Sequence, residues 1–421
     1  MSDVLIVGGG AIGICSAHYL NQAGFSVTVL EKSEVGGACS HGNAGLIVPS
    51  HVVPLAAPGV ISQGLKWLFN SSSPFYIKPR LSSDLISWIW RFRSACSESR
   101  MRRSMPIIHE LIQASLPLFD ELAAIDDLSF GYRKEGLLML FAKEKGRQDC
   151  LKGANLARGM GMPVEELDQE ALRALEPHVP DGIIGGVYYP QDAHLDPGRF
   201  VTALAAKLKQ KGQTTIHTQT EVTELVEEQG KIVAVRTNQG DFTADQILLA
   251  GGSWSPLIAR TLGLKLPVQA AKGYSITLPG PTVSPRIPMI LAEAKATVTP
   301  LENQIRFAGT LELAGLDPSI NRKRVASILK AAPTYFPDFR AESVSRGQIW
   351  SGFRPCTPDG LPMIGRSDRF DNLLVATGHA MIGITLAPIT GKIISEIAAE
   401  QSVQATSAQS LADLSVERFS A

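Results

Sequence analysis

The residues best placed to do chemistry are three glycines and a glutamate near the N-terminus. Gly8-x-Gly10-x-x-Gly13 follows four β-formers, Val4 to Val7, and precedes an apolar-periodic run through Ile14, Ala17, Tyr19 and Leu20. A second β-rich segment, Phe25 to Leu30, ends on Glu31, 18 residues past Gly13. Strand, glycine turn, helix, strand and terminal acid in this order form a dinucleotide-binding unit. Gly8 permits the tight turn, Gly10 lets backbone approach a pyrophosphate, and Gly13 lets the helix lie against the strand. The helix starting at Ala11 and Ile12 offers free N–H groups and a partial positive charge to phosphate. Glu31 accepts hydrogen bonds from a ribose diol. An acid followed by Lys32, with no arginine in its place, argues against a 2′-phosphate. The motif alone leaves FAD and NAD open.

Around this unit the chain is long, at 421 residues, and the length predicts two or three domains. With 44% hydrophobic and 19% charged residues it has a globular balance and no disorder signature. Forty basic residues against forty acidic ones leave no global field, so nucleic acid is excluded as a partner. Five cysteines (Cys15, Cys39, Cys96, Cys150 and Cys356) show no CxxC or Cys/His spacing, which argues against a disulfide framework or a metal site and fits a reducing compartment. The dinucleotide motif occupies the N-terminus, so no cleavable signal peptide is expected. No apolar run reaches the ~18 residues of a transmembrane helix.

The elements that must position the motif alternate along the chain. Val35 to Leu46 is dense in glycine and small residues, including Ser40, Gly42, Asn43, Ala44 and Gly45, and reads as a loop where backbone approaches a cofactor. Residues 60–105 concentrate Trp67, Phe69, Phe75, Tyr76, Trp88, Trp90 and Phe92, and between Lys66 and Arg103 eight basic residues face two acidic ones. That net of +6 suits a peripheral contact with an anionic membrane surface; the favoured account is a substrate-domain helix with an aromatic core face and a solvated basic face. Helices are expected over Pro106–Ala124, from Lys143 to Met160, after Asp196-Pro197-Gly198, from Asn321 to Ala332 and from Gly383 to Glu400. Asp245 to Ala250 is an apolar strand running into Gly251-Gly252-Ser253-Trp254, whose glycines let the chain pass under a planar ligand. Lys272 to Leu278 and a hairpin from Ala296 to Thr310, turning at Glu302-Asn303, build an antiparallel sheet. Leu373 to Thr377 is another strand into glycine, at Gly378-His379.

Taken together, the chain resembles the glycine oxidase/D-amino acid oxidase superfamily of FAD enzymes, and within it the small, bacterial D-amino acid dehydrogenase branch. The matching stretches are Gly8 to Gly13 with Glu31, Gly42-Asn43-Ala44-Gly45, Ala56-Ala57-Pro58-Gly59 and Lys272-Gly273-Tyr274-Ser275, followed by Gly352-Phe353-Arg354-Pro355-x-Thr357-Pro358-Asp359-Gly360, Thr377-Gly378-His379 and Asp413-Leu414-Ser415. The resemblance implies an α/β protein with an FAD-binding Rossmann-like domain of the glutathione-reductase type and a substrate domain with a mixed, largely antiparallel sheet. It divides the chain into FAD-binding segments 1–85, 196–265 and 346–421 and substrate segments 86–195 and 266–345. FAD is then held non-covalently, because Cys356 directly precedes Thr357 and does not match the flavin-linking cysteine of some relatives. Besides the residues above, Val222, Gly251, Trp254, Gly378, Gly383 and Ile384 fall at expected cofactor positions.

What the resemblance implies chemically is hydride transfer from Cα of a D-amino or D-imino acid to flavin N5, with electrons passed to a quinone or another carrier. Arg354 matches the family's carboxylate-binding arginine, and a planar guanidinium suits a bidentate grip on that group. Tyr274 either adds a hydroxyl to the substrate or packs in the sheet. His51 and His379 stand near the expected flavin as hydrogen-bonding or backbone-supporting groups. The helix from Gly383 aims its N-terminus at the flavin N1–C2=O edge. After the histidine this chain reads Gly383 to Gly391 without the tryptophan of the dehydrogenase pattern, which brings D-proline and cis-4-hydroxy-D-proline beside D-alanine as substrates. An oxygen-using oxidase of glycine or sarcosine type and an FAD-binding subunit of a hetero-oligomeric dehydrogenase are the alternatives. The expected location is cytoplasmic, with a peripheral site on the inner face of the cell membrane.

Overall fold

The apolar run from Val4 to Val7 is buried on both faces, as a strand inside a parallel sheet must be. A computed structural model describes residues 2–60, 75–78, 80, 82–179, 181–279, 284–335 and 348–419. In it Asp3–Val7 lies between Ser26–Leu30 and Gln246–Leu249, parallel to both. The six-stranded sheet runs in the order Met363–Arg366, Leu373–Thr377, Gln246–Leu249, Asp3–Val7, Ser26–Leu30, Thr214–His217, with only the Met363–Arg366 edge antiparallel. Helices Ala11–Gln22 and Gly383–Ala398 pack together over it. Their crossing is close because Gly391 presents no side chain: a Cβ there would stand 2.6 Å from the Cys15 carbonyl oxygen. A three-stranded meander, Val222–Glu228, Lys231–Thr237 and Gly240–Phe242, is antiparallel throughout.

Among the described residues the second large sheet has nine strands; Gln348–Cys356 is at one edge, followed by Gln269–Pro279 and then Gln304–Leu313. The hairpin Ala296–Leu301/Gln304–Leu313 turns at Glu302-Asn303, as the sequence predicts. This sheet clamps the glycine-rich loop of the first. Arg306, 5% exposed, donates to the carbonyls of His41 (3.1 Å) and Asn43 (2.7 Å), and the Thr299 hydroxyl donates to the Ala44 carbonyl at 2.7 Å. A buried guanidinium satisfied by backbone carbonyls fixes the loop without needing a carboxylate.

Some expectations shift. Strands Phe75–Ile77 and Gln348–Cys356 pair within the nine-stranded sheet, whereas the boundaries expected at 85 and 346 group both with the FAD-binding segments. The helix expected from Pro106 begins earlier, at Glu98: Ser97 caps it by accepting from the Arg100 N–H, and Pro106 lies inside it. In the basic aromatic segment, residues 61–74 lie outside the described residues. Helix Ser83–Ala95 turns Leu85, Trp88 and Phe92 inward, with the Trp88 and Phe92 rings stacked at 4.8 Å, and leaves Ile86, Ile89 and Trp90 exposed. Among the described residues no helix is long and apolar enough to cross a membrane.

Gly13 is the tightest joint: a Cβ would fall 1.9 Å from the Gly8 carbonyl oxygen. Gly13→Ala is expected to cost about 3 kcal/mol through this overpacking, read as a lowered denaturant midpoint, and an unchanged midpoint contradicts the packing described.

Candidate active site

Between the C-terminal ends of the parallel strands lies an open cavity, the place where open α/β sheets bind ligands. Gly8, Gly10, Ala11 and Ile12 line it with Glu31 and Lys32, as do Ser40, Asn43, Val222, Gly251 and Trp254 and, from the C-terminal part of the chain, His379, Gly383 and Ile384. The Glu31 carboxylate, 6% exposed, accepts from the Gly9 N–H at 2.8 Å and from Ser33, which locks it at the strand end. A Cβ on Gly10 would meet nothing nearer than the Ser40 hydroxyl at 3.6 Å, so the space beside it is free for a ligand. Two helices start at this cavity, Ala11–Gln22 and Gly383–Ala398; neither is capped by its own N-cap residue or carries an acid in its first turn, and the Ser40 hydroxyl accepts from the Ala11 N–H at 3.1 Å. Two positive dipole ends facing one cavity are what a flavin dinucleotide requires. The residues present fit FAD, which when bound supplies the hydride acceptor.

The other expected cofactor residues act at one remove. Gly13 packs the helix onto the strand; Gly45, at φ +76°, makes room for the Leu195 carbonyl; and Gly378, at φ +83°, makes room for the Thr357 methyl. Gly42, Ala44 and Leu46 line a second cavity instead. Lys32 lies 3.6 Å over the Trp254 ring, and burial lowers the pKa of its ammonium. Sequence reading missed Thr220 and Ala380, which line this cavity with no motif of their own, whereas Gly252 and Thr377, also on its wall, lie in stretches the sequence singles out.

The second cavity opens beside the first. Cys39, Asn43, Arg354 and Ala380 line both. Arg354 extends from Gln348–Cys356 over Gly273, where a Cβ would stand 2.1 Å from Nη1. One amino group donates to the Thr310 carbonyl at 3.0 Å. Thr310 sits at a register shift in the Gln304–Leu313 strand with φ +63°, a conformation costing about 1–3 kcal/mol that turns its carbonyl toward the arginine. Among the described residues Arg354 has no carboxylate partner, and burial lowers its pKa. An unpaired, desolvated guanidinium facing a cavity is costly unless an anion completes it. Trp350, two residues before Gly352 on the same face, lays its indole against Gly42 and Gly352, where added Cβ atoms would come within 2.1 Å and 2.0 Å of the ring. That indole forms a cavity wall that motif reading passed over.

His51 lines this second cavity and His379 the first. His379 bonds Thr390 Oγ1 through Nε2 at 3.0 Å, its Nδ1 has no partner among the described residues, and burial pulls its pKa down to about 3. It is a neutral imidazole beside the cofactor cavity. Tyr274 is among the residues lining the second cavity, but of its two expected roles the side chain takes the packing one. Successive strand residues face opposite sides, so with Gly273 under Arg354 the Tyr274 ring points away. Its hydroxyl donates to Glu312 Oε2 at 3.0 Å and accepts from the Asn321 N–H at 3.3 Å, and the residue is 1% exposed. Among the described residues no cluster of His, Cys, Asp or Glu is arranged to hold a metal.

Residues 3–397 match the DAO family, FAD dependent oxidoreductase. The D-amino acid dehydrogenase of Vibrio atlanticus is 33% identical over 423 residues, covering 99% of this chain and 100% of that one. The D-amino acid dehydrogenase of Methylobacterium nodulans is 34% identical and covers 94% of each. Among solved structures, glycine oxidase from Geobacillus kaustophilus is similar with a TM-score of 0.77 at 23% identity, covering 99% of both chains. L-proline dehydrogenase from P. horikoshii follows at 0.72 and 19%, covering 100% of this chain and 98% of that one. The chain belongs to the DAO family of FAD-dependent oxidoreductases. It is an FAD-dependent enzyme.

Gly10 is at φ −79° and ψ −175°, a backbone any residue adopts. Gly10→Leu is therefore expected to fold with a near-normal far-ultraviolet spectrum but to purify colourless, since its side chain fills the pyrophosphate path; a yellow variant contradicts the assignment.

Proposed function

We propose that this chain oxidises a D-amino or D-imino acid, of the D-alanine, D-proline or cis-4-hydroxy-D-proline type, to its imine, which hydrolyses to a 2-keto acid and an amine or ammonia. The observation that carries the reading is Arg354, an unpaired guanidinium lining both the cofactor cavity and the adjoining cavity. Its fork takes the substrate carboxylate, and the Thr310 carbonyl and the gap over Gly273 hold that fork in one orientation. The rest of the wall is mainly apolar, with Trp350, Ile108, Leu55 and Val48, which suits a small alkyl or ring side chain and excludes water from Cα. The relatives' names support the same substrate class. Cofactor-binding roles for Gly8, Gly10, Glu31, Ser40, Trp254 and Gly383 belong to this proposal, as does non-covalent FAD: the Cys356 thiol is fully buried, packed with Trp88 rather than lining the cavity. The five-segment division into two domains is proposed with its outer boundaries moved outside Phe75–Ile77 and beyond Cys356.

Electrons leave to a quinone or another carrier in this reading, and the protein works in the cytoplasm against the inner face of the membrane. Ile86 (53% exposed), Ile89 and Trp90 (66% exposed), with the Arg93 guanidinium 6.0 Å from the Trp90 ring, form an apolar face edged by positive charge. Such a face suits an anionic lipid surface. Trp90→Glu together with Ile86→Glu is expected to abolish co-sedimentation with phosphatidylglycerol-containing vesicles while leaving dye reduction intact; unchanged sedimentation contradicts the docking face.

Arg354→Leu is expected to keep FAD and raise KM for the acid by about 10²- to 10⁴-fold, the loss of two hydrogen bonds to a charged group. Anaerobic flavin bleaching measures it, and a near-normal KM removes Arg354 from the site.

A further inference from the structure

Behind the substrate cavity a hydrogen-bonded chain ends on a buried acid. His51 lines the cavity that holds Arg354, and its Nδ1 lies 2.8 Å from the Ser50 hydroxyl. That hydroxyl donates to Asp192 Oδ2 at 2.5 Å, and the Ser50 N–H donates to Asp192 Oδ1 at 3.1 Å. A short antiparallel ladder, Leu46–Ile47 against Ala193–His194, brings the loop carrying Ser50 and His51 beside Asp192. The Tyr189 ring, 6.3 Å from the His51 ring, backs the imidazole. Asp192 is 1% exposed and forms no ion pair among the described residues. A buried carboxylate whose side-chain partner is one hydroxyl is expensive to keep ionised.

The reading of the substrate as a D-amino or D-imino acid, on which this inference rests, leaves one proton unaccounted for. The acid arrives as an ammonium zwitterion, and hydride cannot leave Cα until nitrogen has a lone pair. We propose that His51, Ser50 and Asp192 form a relay that removes this proton, with His51 as the group touching the amine and Asp192 as the positioning residue and terminal acceptor. With Asp192 ionised, the Ser50 hydroxyl donates to it, so His51 Nδ1–H donates to Ser50 and Nε2 is left as acceptor. The substrate N–H bond breaks and its proton joins Nε2; the Nδ1 proton passes to Ser50 Oγ; the Ser50 hydrogen passes to Asp192 Oδ2. The amine keeps the electron pair, His51 ends neutral in its other tautomer, and Asp192 ends as the neutral acid.

The surroundings agree. The titratable groups facing Asp192 are His51 through Ser50 and the phenols of Tyr188 and Tyr189, both of whose pKa values are raised, chiefly by burial. Burial, opposed by the two Ser50 bonds, pushes the Asp192 carboxyl up to about 7. Burial also pulls His51 down to about 4, so the ring passes a proton on rather than holding it.

Anaerobic stopped-flow bleaching of the FAD-loaded wild type, D192N and S50A with D-alanine and D-proline, from neutral to alkaline pH, tests the relay. In the wild type, kcat/KM is expected to rise with pH through the Asp192 titration. In D192N the inflection moves to the substrate amine's own, more alkaline pKa, with about a hundredfold loss at neutral pH that alkaline pH restores. S50A, which keeps the acid but cuts the wire, is expected to show the same shift and serves if D192N does not fold. A uniform loss at all pH values, or an unshifted inflection in S50A, overturns the relay while the substrate reading stands. A wild-type flavin that neither acid bleaches removes the substrate reading and the relay with it.

Discussion

An arginine without an acid organises this molecule. Arg354 stands where the cavity at the ends of the parallel strands meets the cavity under the antiparallel sheet, and one backbone carbonyl accepts from it. Burying a guanidinium this way destabilises the free protein, and the fold spends more on holding it. Gly273 gives up its side chain to make room, and Thr310 accepts a left-handed backbone to turn its carbonyl inward. Those costs make sense when an anion regularly completes the charge. A carboxylate so held has its neighbouring atoms fixed against the cofactor cavity, and that fixing is the protein's main contribution to a hydride transfer.

The two sheets divide the labour. The parallel sheet offers helix N-termini and glycines, so it recognises phosphates and a planar ring through backbone. The antiparallel sheet offers side chains: Arg354 for charge, Trp350 for shape and Arg306 for clamping the glycine-rich loop. Arg306 is a counterpart to Arg354. Both are desolvated cations from the same sheet, but three acceptors satisfy Arg306 and it is structural, whereas Arg354 has donors to spare.

Much of the cofactor side was legible in the sequence because backbone chemistry leaves a trace in residue type. Gly8, Gly13, Gly45 and Gly378 are glycines since any Cβ would strike a neighbouring atom, so spacing and type exposed them. Arg354 was legible through its family motif. The substrate side was less so, because strand faces are decided by register. A bulge opposite Lys272 and Tyr274 and the alternation past Gly273 put the Tyr274 ring in the far core, and one residue's shift would have reversed that. Trp350 looked like any strand aromatic until the two glycines beneath it were seen. Asp192 carried no signal at all: 142 residues separate it from Ser50, and the ladder between Leu46–Ile47 and Ala193–His194 brings them together. The early start of the helix at Glu98 escaped notice because Pro106 mimics a first-turn proline.

The central claim is that a carboxylate is the anion Arg354 awaits. Titrating the FAD-loaded protein with a D-amino acid and with its carboxamide, and following the flavin spectrum anaerobically, addresses it most directly, because shape and amine are shared and only the charge differs. The acid is expected to perturb or bleach the flavin at concentrations about a hundredfold below the amide, as loss of a charge-assisted bidentate pair demands. Equal response to acid and amide would contradict the account.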